Sequence, residues 1–306
     1  MAEAIEVDVS DWETIQIEAR GSGANQWRRD PNGVQWLYKA TRRAAATGEL
    51  QGEDWSEKAA ERLASLIGVP CAEVELAHVR RGDGAEPGVV CKDLAEPSTE
   101  FQNGANLLAD IPGYRYRDSR GRPPRNHVGH SVQNIVDRLR AFDVGPPTGA
   151  SGVPTAVAAL AGYLVLDAWI GNLDRHEENW AVLRDEDGVV TLAASYDHGA
   201  ALGSSLTEAR RAALAADSVG LAAYADKAFA RKFEDGARVP LTAVAADALD
   251  QAGTAARAHW LSTLEAVELD DIRGALDGIP RMSDPARTFC EQLLVINRRR
   301  VLDDCR

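Results

Sequence analysis

"GNLDRHEENW", residues 171–180, follows directly on one of the most apolar stretches of the chain, AVAALAGYLVLDAWI at 156–170. The apolar stretch contains Gly162 and Asp167 and is shorter than a membrane span, so it predicts a buried helix. The polar stretch after it is dense in side chains that can bind a metal or accept a proton. Because a buried helix can hold the loop at its end rigidly, this junction predicts a functional site.

The composition limits what kind of protein this is. Its 306 residues can form two lobes, and its net charge of −13 disfavours nonspecific binding to nucleic acid. The four cysteines have neither CxxC nor Cys/His spacing, which argues against a zinc site or a disulfide framework. The acidic N-terminus lacks the layout of a signal peptide. We therefore expect a cytoplasmic protein without a membrane segment or a direct nucleic-acid partner.

One basic stretch departs from this acidic balance. The sequence YRYRDSRGRPPRNHVGH at 114–130 places arginines among Gly, Pro and Ser. Such a composition is typical of a solvated surface loop, and this interpretation is preferred. The alternative is a docking loop for an acidic partner or for phosphates.

The order of predicted elements changes along the chain. Alternating patterns predict strands at 33–40, 72–79 and 87–94. Between the first two, residues 53–68 predict a helix with a capping box at Asp54 and Glu57 and a stop at Gly68.

The second half is mainly helical. A short amphipathic helix is predicted at 131–139, and a hairpin at 180–184 and 189–195 follows the polar loop. From residue 206 onward helical patterns dominate and end with a helix at 284–304. These patterns predict an α+β fold of two lobes. A small mixed α/β N-lobe would span 1–95 and a larger, mainly helical C-lobe 96–306.

The polar loop and the hairpin together suit phosphoryl transfer. The hairpin ends in SYDHGAALG at 195–203, and its second strand returns the chain to where the first began, so Asp197 should lie near the loop. Phosphoryl transfer needs an acidic group beside the attacking hydroxyl and oxygen ligands for magnesium. Asp174 is the candidate base or hydroxyl orienter, and Asn179 and Asp197 are the candidate metal ligands.

Phosphates also need a backbone cover and a cation. A loop of small residues, through which a backbone can approach phosphate oxygens closely, comes before the first predicted strand. Its residues are Gly21, Ser22, Gly23 and Ala24. The strand carries Lys39, a candidate cation for the phosphates. On the following helix Glu57 shares a face with the apolar residues, whereas Glu61 does not, so Glu57 is the predicted partner of Lys39.

Two histidines lie near these acids. His176 and His198 lack a third ligand at zinc-like spacing, so a zinc site is not expected. His176 is instead predicted to organise the loop through hydrogen bonds to the backbone or to Asp197.

These motifs resemble a known family. GNLDRHEENW followed by SYDHGAAL is similar to the catalytic segment of the HipA-like serine/threonine kinases, best known as toxins of toxin–antitoxin pairs. The segments GEDWSEKAAERLASLIGVP and EFQNGANLL also resemble that group, so the similarity covers most of the chain. The D-R-H-x-x-N string is similar to the catalytic loop of phosphoinositide 3- and 4-kinases as well. The resemblance implies a bilobal protein-kinase-like fold that uses ATP and Mg²⁺.

Carried over by position, the resemblance makes Asp174 the catalytic aspartate and Lys39 the lysine that contacts ATP. It makes Asn179 and Asp197 the magnesium ligands. Ser22 matches a regulatory autophosphorylation site of some members. The segment VVCKDLAE at 89–96 corresponds to the hinge that binds adenine through its backbone, with the contacts expected at Val90 and Cys91.

The chain also departs from the family pattern. It begins almost at the Gly-rich loop, as the shorter, stand-alone members do, and D-H-G replaces the more usual D-x-x-S after the metal aspartate. These departures leave an antitoxin-type protein as no more than a candidate partner.

Three functions are compatible with these residues. The preferred one is an ATP- and Mg²⁺-dependent kinase of Ser/Thr hydroxyls on a protein. The second is a kinase of a small molecule, a lipid or a biosynthetic peptide, since the acceptor is chosen by variable loops such as 112–130. The third is a nucleotide-binding pseudokinase, which the intact set of lysine and metal ligands disfavours.

Overall fold

A computed structural model describes residues 4–20, 23–95, 98–117, 121–122, 124 and 126–306, with the backbone alone at 18–20 and 23–24. The strands of the described chain are β1 (Glu6–Asp8), β2 (Glu13–Arg20), β3 (Gly23–Arg29), β4 (Gln35–Ala40), β5 (Val74–Arg81), β6 (Gly84–Lys92), β7 (Glu100–Asn103), β8 (Ala181–Arg184) and β9 (Val190–Leu192). The helices are α1 (Glu53–Ile67), α2 (Gly104–Leu108), α3 (Val132–Ala141), α4 (Ala156–Ile170), α5 (Glu208–Ala215), α6 (Ser218–Ala225), α7 (Leu241–Ala252), α8 (Thr254–Glu265), α9 (Leu269–Leu276) and α10 (Asp284–Asp304), with a 3₁₀ turn at Gly236–Arg238.

The N-terminal part is built on a twisted sheet. Its strand order is β1-β5-β6-β4-β3-β2, in which only the β1–β5 pair is parallel. β4, β5 and β6 confirm the three strands predicted from alternation, and Trp36 and Tyr38 of β4 are buried as that pattern requires. The hairpin β2–β3 was not predicted. Residues 13–17 of β2, which include Ile15 and Ile17, are all exposed, so the strand buries neither face over these residues.

Helix α1 packs beside this sheet and ends where it was predicted to end. Gly68 adopts a left-handed conformation with φ 75°, and its N–H donates to carbonyls of the last turn. The predicted capping box at Asp54 and Glu57 is wrong, since Gly52 is the N-cap and no side chain caps it. Both carboxylates have partners elsewhere in the fold: Asp54 accepts from Arg281, and Glu57 lies beside Lys39.

Helix α4 is the buried centre of the helical part. All of its residues are buried, as the apolar stretch predicted. A Cβ at Gly162 would lie 2.4 Å from the Trp260 ring, so the glycine permits this close packing of α4 against α8. Gly171, with φ 67°, ends the helix and starts the polar loop. No helix in the described part of the chain is both long enough and apolar enough to cross a membrane.

A second, smaller sheet connects the two parts of the molecule. Its order is β7-β8-β9, and β8–β9 is the predicted hairpin. Beyond β9, Ser195 donates its N–H to the Pro70 carbonyl and accepts the Ala72 N–H, each at 2.8 Å. This bridge holds the chain just before Asp197 against the end of α1. The mixed sheet region followed by a helical region is the predicted α+β architecture.

Candidate active site

Five of the predicted site residues meet in one cleft of about 400 Å³. Lys39 and Glu57 enter it from β4 and α1, and Asp174, His176 and Asp197 enter it from the segments around the second sheet. Both a lysine and several carboxylates therefore line the same cavity, whose volume suits a small ligand.

Lys39 is a cation of this cleft that two carboxylates hold. Its Nζ lies 2.6 Å from Asp197 Oδ1 and 3.4 Å from Glu57 Oε1, although the three residues are far apart in the sequence. Burial would lower the pKa of the Lys39 ammonium, but the two carboxylates outweigh burial and hold the pKa well above its ordinary value. Lys39 is therefore a permanent positive charge in the cleft.

Glu57 holds both Lys39 and the chain after Asp197. Its carboxylate is buried on the inward face of α1, and Oε2 accepts the backbone N–H of His198 at 2.8 Å. Burial raises the pKa of Glu57, while Lys39 opposes this rise. The contact between Lys39 and Glu57 is the one that the helix face predicted.

Asp197 has an unusual backbone conformation. Its φ is 63°, in the left-handed region that non-glycine residues rarely adopt, and such strained residues cluster at functional sites. Burial would raise the pKa of the Asp197 carboxyl, but Lys39 outweighs it and lowers the pKa to about 2. With 37% of its side chain exposed to the cleft, the carboxylate is an anion that a ligand can reach.

The polar loop is folded by its own hydrogen bonds. Asn179 donates its side-chain N–H to the Asp174 carbonyl at 2.7 Å, and His176 donates its backbone N–H to the same carbonyl at 2.7 Å. His176 Nδ1 accepts the Glu178 N–H at 3.1 Å. These bonds turn the loop so that the Asp174 carboxylate faces the cleft. His176 bonds to the backbone, one of the two roles expected for it.

A buried ion pair beneath the loop was missed by the sequence analysis. Arg175 points inward and binds both carboxylate oxygens of Asp167 on α4. It also donates to the Asn179 carbonyl at 2.7 Å and to Ser195 Oγ at 2.9 Å. One guanidinium thus ties α4, the loop and the segment before Asp197 together. The signal was present in the sequence, because an aspartate in an otherwise apolar buried helix requires a partner.

Asp197 and Asn179 carry oxygen atoms of the kind that a hard divalent cation binds; Asp197 lines the cleft, whereas Asn179 is buried and does not line it. Because the Asn179 amide nitrogen is used by the Asp174 carbonyl, the amide oxygen is the atom that Asn179 can offer to a metal. Asp197 adds a carboxylate, and oxygen ligands of this kind are what Mg²⁺ prefers. Among the described residues no group of three His, Cys, Asp or Glu side chains could hold a metal, so a zinc-type centre is not formed there.

Two residues that were predicted to contact the nucleotide lie inside the large sheet. Val90 and Cys91 lie in β6 between β4 and β5, with ladder partners on both sides. Their backbone groups are paired within the sheet, and the hinge contacts expected at these two residues stay a prediction. β6 continues beyond both residues and ends at Lys92.

The predicted Gly-rich loop coincides with the β2–β3 hairpin. Gly23 and Ala24 are strand residues of β3 and pair with Arg20 and Ala19, so they are not in a loop as predicted. Gly21 and Ser22 lie outside the described residues. Asn25, next along β3, lines the cleft, which places this hairpin at the cleft.

A buried histidine connects the end of the polar loop to a later segment. His130 donates its Nδ1–H to the Lys232 carbonyl at 2.6 Å, and its Nε2 accepts the Trp180 indole N–H at 3.2 Å. Both ring nitrogens are satisfied only in the neutral form, since an indole N–H can only donate. Burial lowers the pKa of His130 to about 4.

This histidine predicts a loss of stability in mild acid. Because the folded pKa lies below the unfolded value, the unfolded chain binds a proton that the folded protein does not bind as the pH falls below about 6.5. We expect the free energy of unfolding to decrease by about 2 kcal/mol more in the wild type than in H130Q between about pH 7 and about pH 5. Urea unfolding at both pH values measures this difference. Equal decreases in the two proteins would show that His130 is not held neutral.

The chain was compared with known proteins. It matches no protein-family model, and no curated protein matches it. The solved structure of CtkA, a proinflammatory kinase of Helicobacter pylori, has a similar fold with a TM-score of 0.71 at 15% identity, over 98% of this chain and 96% of that chain. HipA from a toxin–antitoxin system of Shewanella oneidensis aligns at 13% identity with a TM-score of 0.47, over 95% of this chain and 66% of that chain.

The similarity to CtkA establishes a kinase-like fold for this chain. At 15% identity it concerns the fold alone. The resemblance to HipA-like kinases is not confirmed as family membership, since no family model matches.

Proposed function

We propose that the protein is an ATP- and Mg²⁺-dependent kinase that transfers the γ-phosphate to a Ser/Thr hydroxyl of a protein, as HipA-like kinases do. The observation that carries the proposal is the 2.6 Å contact between Lys39 and Asp197 in a cleft that Asp174 also lines. A fixed cation for phosphates, an anionic metal ligand and an acid for the acceptor are the parts that phosphoryl transfer requires.

Each residue has a distinct part in the proposed reaction. Asp174, with 40% of its side chain exposed, accepts a hydrogen bond from the acceptor hydroxyl and orients its oxygen. Lys39 binds the phosphates of the nucleotide, and Glu57 holds Lys39 in place. Asp197 and Asn179 would hold magnesium, which would neutralise charge on the phosphates when bound. The acceptor oxygen then attacks the γ-phosphorus, and ADP leaves.

The transfer itself tests the proposal. Purified protein with labelled ATP, magnesium and a protein extract should transfer phosphate, and Asp174→Ala should lower the rate by about 100-fold, because it removes the group that orients the hydroxyl. Asp187→Ala is the matched control, since Asp187 is an exposed acid in the turn between β8 and β9. No transfer by the wild type while a control kinase is active, or equal transfer by Asp174→Ala, would contradict the proposal.

The acceptor could instead be a small molecule, a lipid or a biosynthetic peptide, because the cleft residues described above do not distinguish these hydroxyls. Labelled product in the protein fraction favours the first proposal, and label in a low-mass or lipid fraction favours the second. Nucleotide binding with and without magnesium, measured beside turnover, separates both from a pseudokinase, which would bind without turnover. An antitoxin-type protein remains a proposed partner.

We place the protein in the cytoplasm. All four cysteines are free thiols, so the fold uses no disulfide bond. This agrees with a reducing compartment. Fractionation of cells that produce the protein tests the assignment.

A further inference from the structure

A tight segment at 229–240 lies beside the polar loop. Its ends are joined at Phe229 and Pro240, and the Ala230 N–H donates to the Val239 carbonyl at 2.8 Å. A Cβ at Gly236 would lie 1.9 Å from the Ala230 carbonyl oxygen, so the turn closes in a space that only glycine fits. The 229–240 segment is therefore a compact loop with a fixed shape.

His130 fixes this segment to the polar loop at Lys232. Its ring donates to the Lys232 carbonyl at 2.6 Å, and its carbonyl accepts the Glu234 N–H at 2.7 Å. The same ring accepts the indole N–H of Trp180, the last residue of the polar loop. The backbone that follows the Lys232 side chain, from its carbonyl to Glu234, is thus held at a set position relative to that loop.

From this position Lys232 reaches the candidate catalytic aspartate. Its Nζ lies 2.9 Å from Asp174 Oδ1, and the side chain is 32% exposed. An exposed ion pair between two flexible side chains contributes little to stability. Here the backbones that carry Lys232 and Asp174 are both held by hydrogen bonds, so the fold itself brings the two side chains together. We therefore look for a function of this ion pair.

The polar loop supplies no cation of its own to the cleft. Arg175 is the only arginine or lysine of residues 171–180, and it is buried and bound to Asp167. Yet the reaction places charged phosphoryl oxygens next to the hydroxyl that Asp174 orients. The cations that line the cleft have other carboxylate partners: Lys39 pairs with Asp197, Arg42 with Glu53 and Arg117 with Glu178. Lys232 is the cation that another segment brings to Asp174.

We propose that Lys232 is a catalytic residue whose ammonium binds the phosphoryl group as it is transferred; this rests on the proposed function. The bond between the acceptor oxygen and the γ-phosphorus forms while the bond from that phosphorus to the bridging oxygen breaks, and ADP leaves with the electron pair. The hydroxyl proton passes to Asp174. Lys232 keeps its protons and donates hydrogen bonds to the non-bridging oxygens, where a fixed cation stabilises the transition state.

The test compares Lys232→Met with Lys232→Arg and with Lys227→Met. Lys227 is an exposed lysine near the same segment and serves as the matched control. We expect Lys232→Met to lower kcat by about 100-fold with unchanged affinity for ADP, and Lys232→Arg to recover at least about tenfold of that loss. Binding of ADP with aluminium fluoride, which imitates the transferring phosphoryl group, should weaken in Lys232→Met alone.

Each outcome shows whether Lys232 has a catalytic role or a different one. If Lys232→Met keeps kcat within about threefold of the wild type, or still binds ADP with aluminium fluoride as tightly, the contact is structural and the inference is wrong. A higher kcat in Lys232→Met would mean that the contact inhibits the enzyme, which also overturns it. An inactive wild type contradicts the proposed function and this inference with it, whereas an active wild type with an active Lys232→Met contradicts this inference alone.

Discussion

Replacing Asp197 with alanine is expected to lower the rate of phosphate transfer by about 1,000-fold, the largest effect on activity of any single change in the cleft. The substitution removes the only carboxylate among the proposed metal ligands and also the group 2.6 Å from Lys39. Lys39 keeps Glu57 as a partner, so we expect the protein to remain folded. Measuring kcat with saturating ATP and magnesium gives the effect.

A second substitution at the same position isolates the charge. Asp197→Asn keeps the size and one oxygen but loses the negative charge that the low pKa maintains. If the charge holds the metal, Asp197→Asn should be nearly as inactive as Asp197→Ala, and both should lose the dependence of nucleotide affinity on magnesium. Activity within about tenfold of the wild type in Asp197→Ala would show that the metal ligands have been assigned wrongly.

Arg175→Leu is expected to lower the free energy of unfolding by about 3–5 kcal/mol, the largest expected effect on stability. The substitution leaves Asp167 as an uncompensated charge inside α4, where that residue is 1% exposed. It also removes the hydrogen bonds to the Asn179 carbonyl and to Ser195 Oγ. Urea unfolding of the two proteins at neutral pH measures the loss.

A double variant separates the effect of the buried charge on stability from the effect of the lost packing. Replacing both residues, Asp167→Leu with Arg175→Leu, removes the charges together, and apolar substitutes for a buried ion pair are often tolerated. We expect the double variant to be more stable than Arg175→Leu. A loss below about 1 kcal/mol in Arg175→Leu would mean that water reaches Asp167 and that the pair is not the anchor of the loop.

The proposed catalytic half of the cleft could be predicted from the sequence because its residues lie close together along the chain. Asp174 and Asn179 share one loop, and a short hairpin necessarily returns the chain to that loop, which brings Asp197 back. Lys39 and Glu57 were predictable from the faces of a strand and a helix. Their contact with Asp197 follows from the packing of α1 on the segment after β9, which the sequence alone does not specify.

The features that were missed depend on tertiary partners. Strand β2 was missed because its isoleucines are exposed and do not mark a buried face. The capping box did not form because Asp54 and Glu57 bind Arg281 and Lys39 instead. The pairing of Val90 and Cys91 on both sides was also missed, because a pattern of residues does not indicate on which side a strand is paired. Lys232 could not be found, since it reaches Asp174 through a turn that His130 fixes from a distant part of the chain.

The bridge between Ser195 and the turn after α1 has a mechanical consequence. It joins the two parts of the molecule just before Asp197, and Glu57 holds the chain just after it. If these bonds persist while the cleft widens, the hinge of that motion has to lie at the segment around Asp197. Because Arg175 also ties Ser195 to the polar loop, Asp197 would keep its position relative to Asp174 as well as to Glu57. Opening of the cleft would thus leave the two aspartates at a fixed separation.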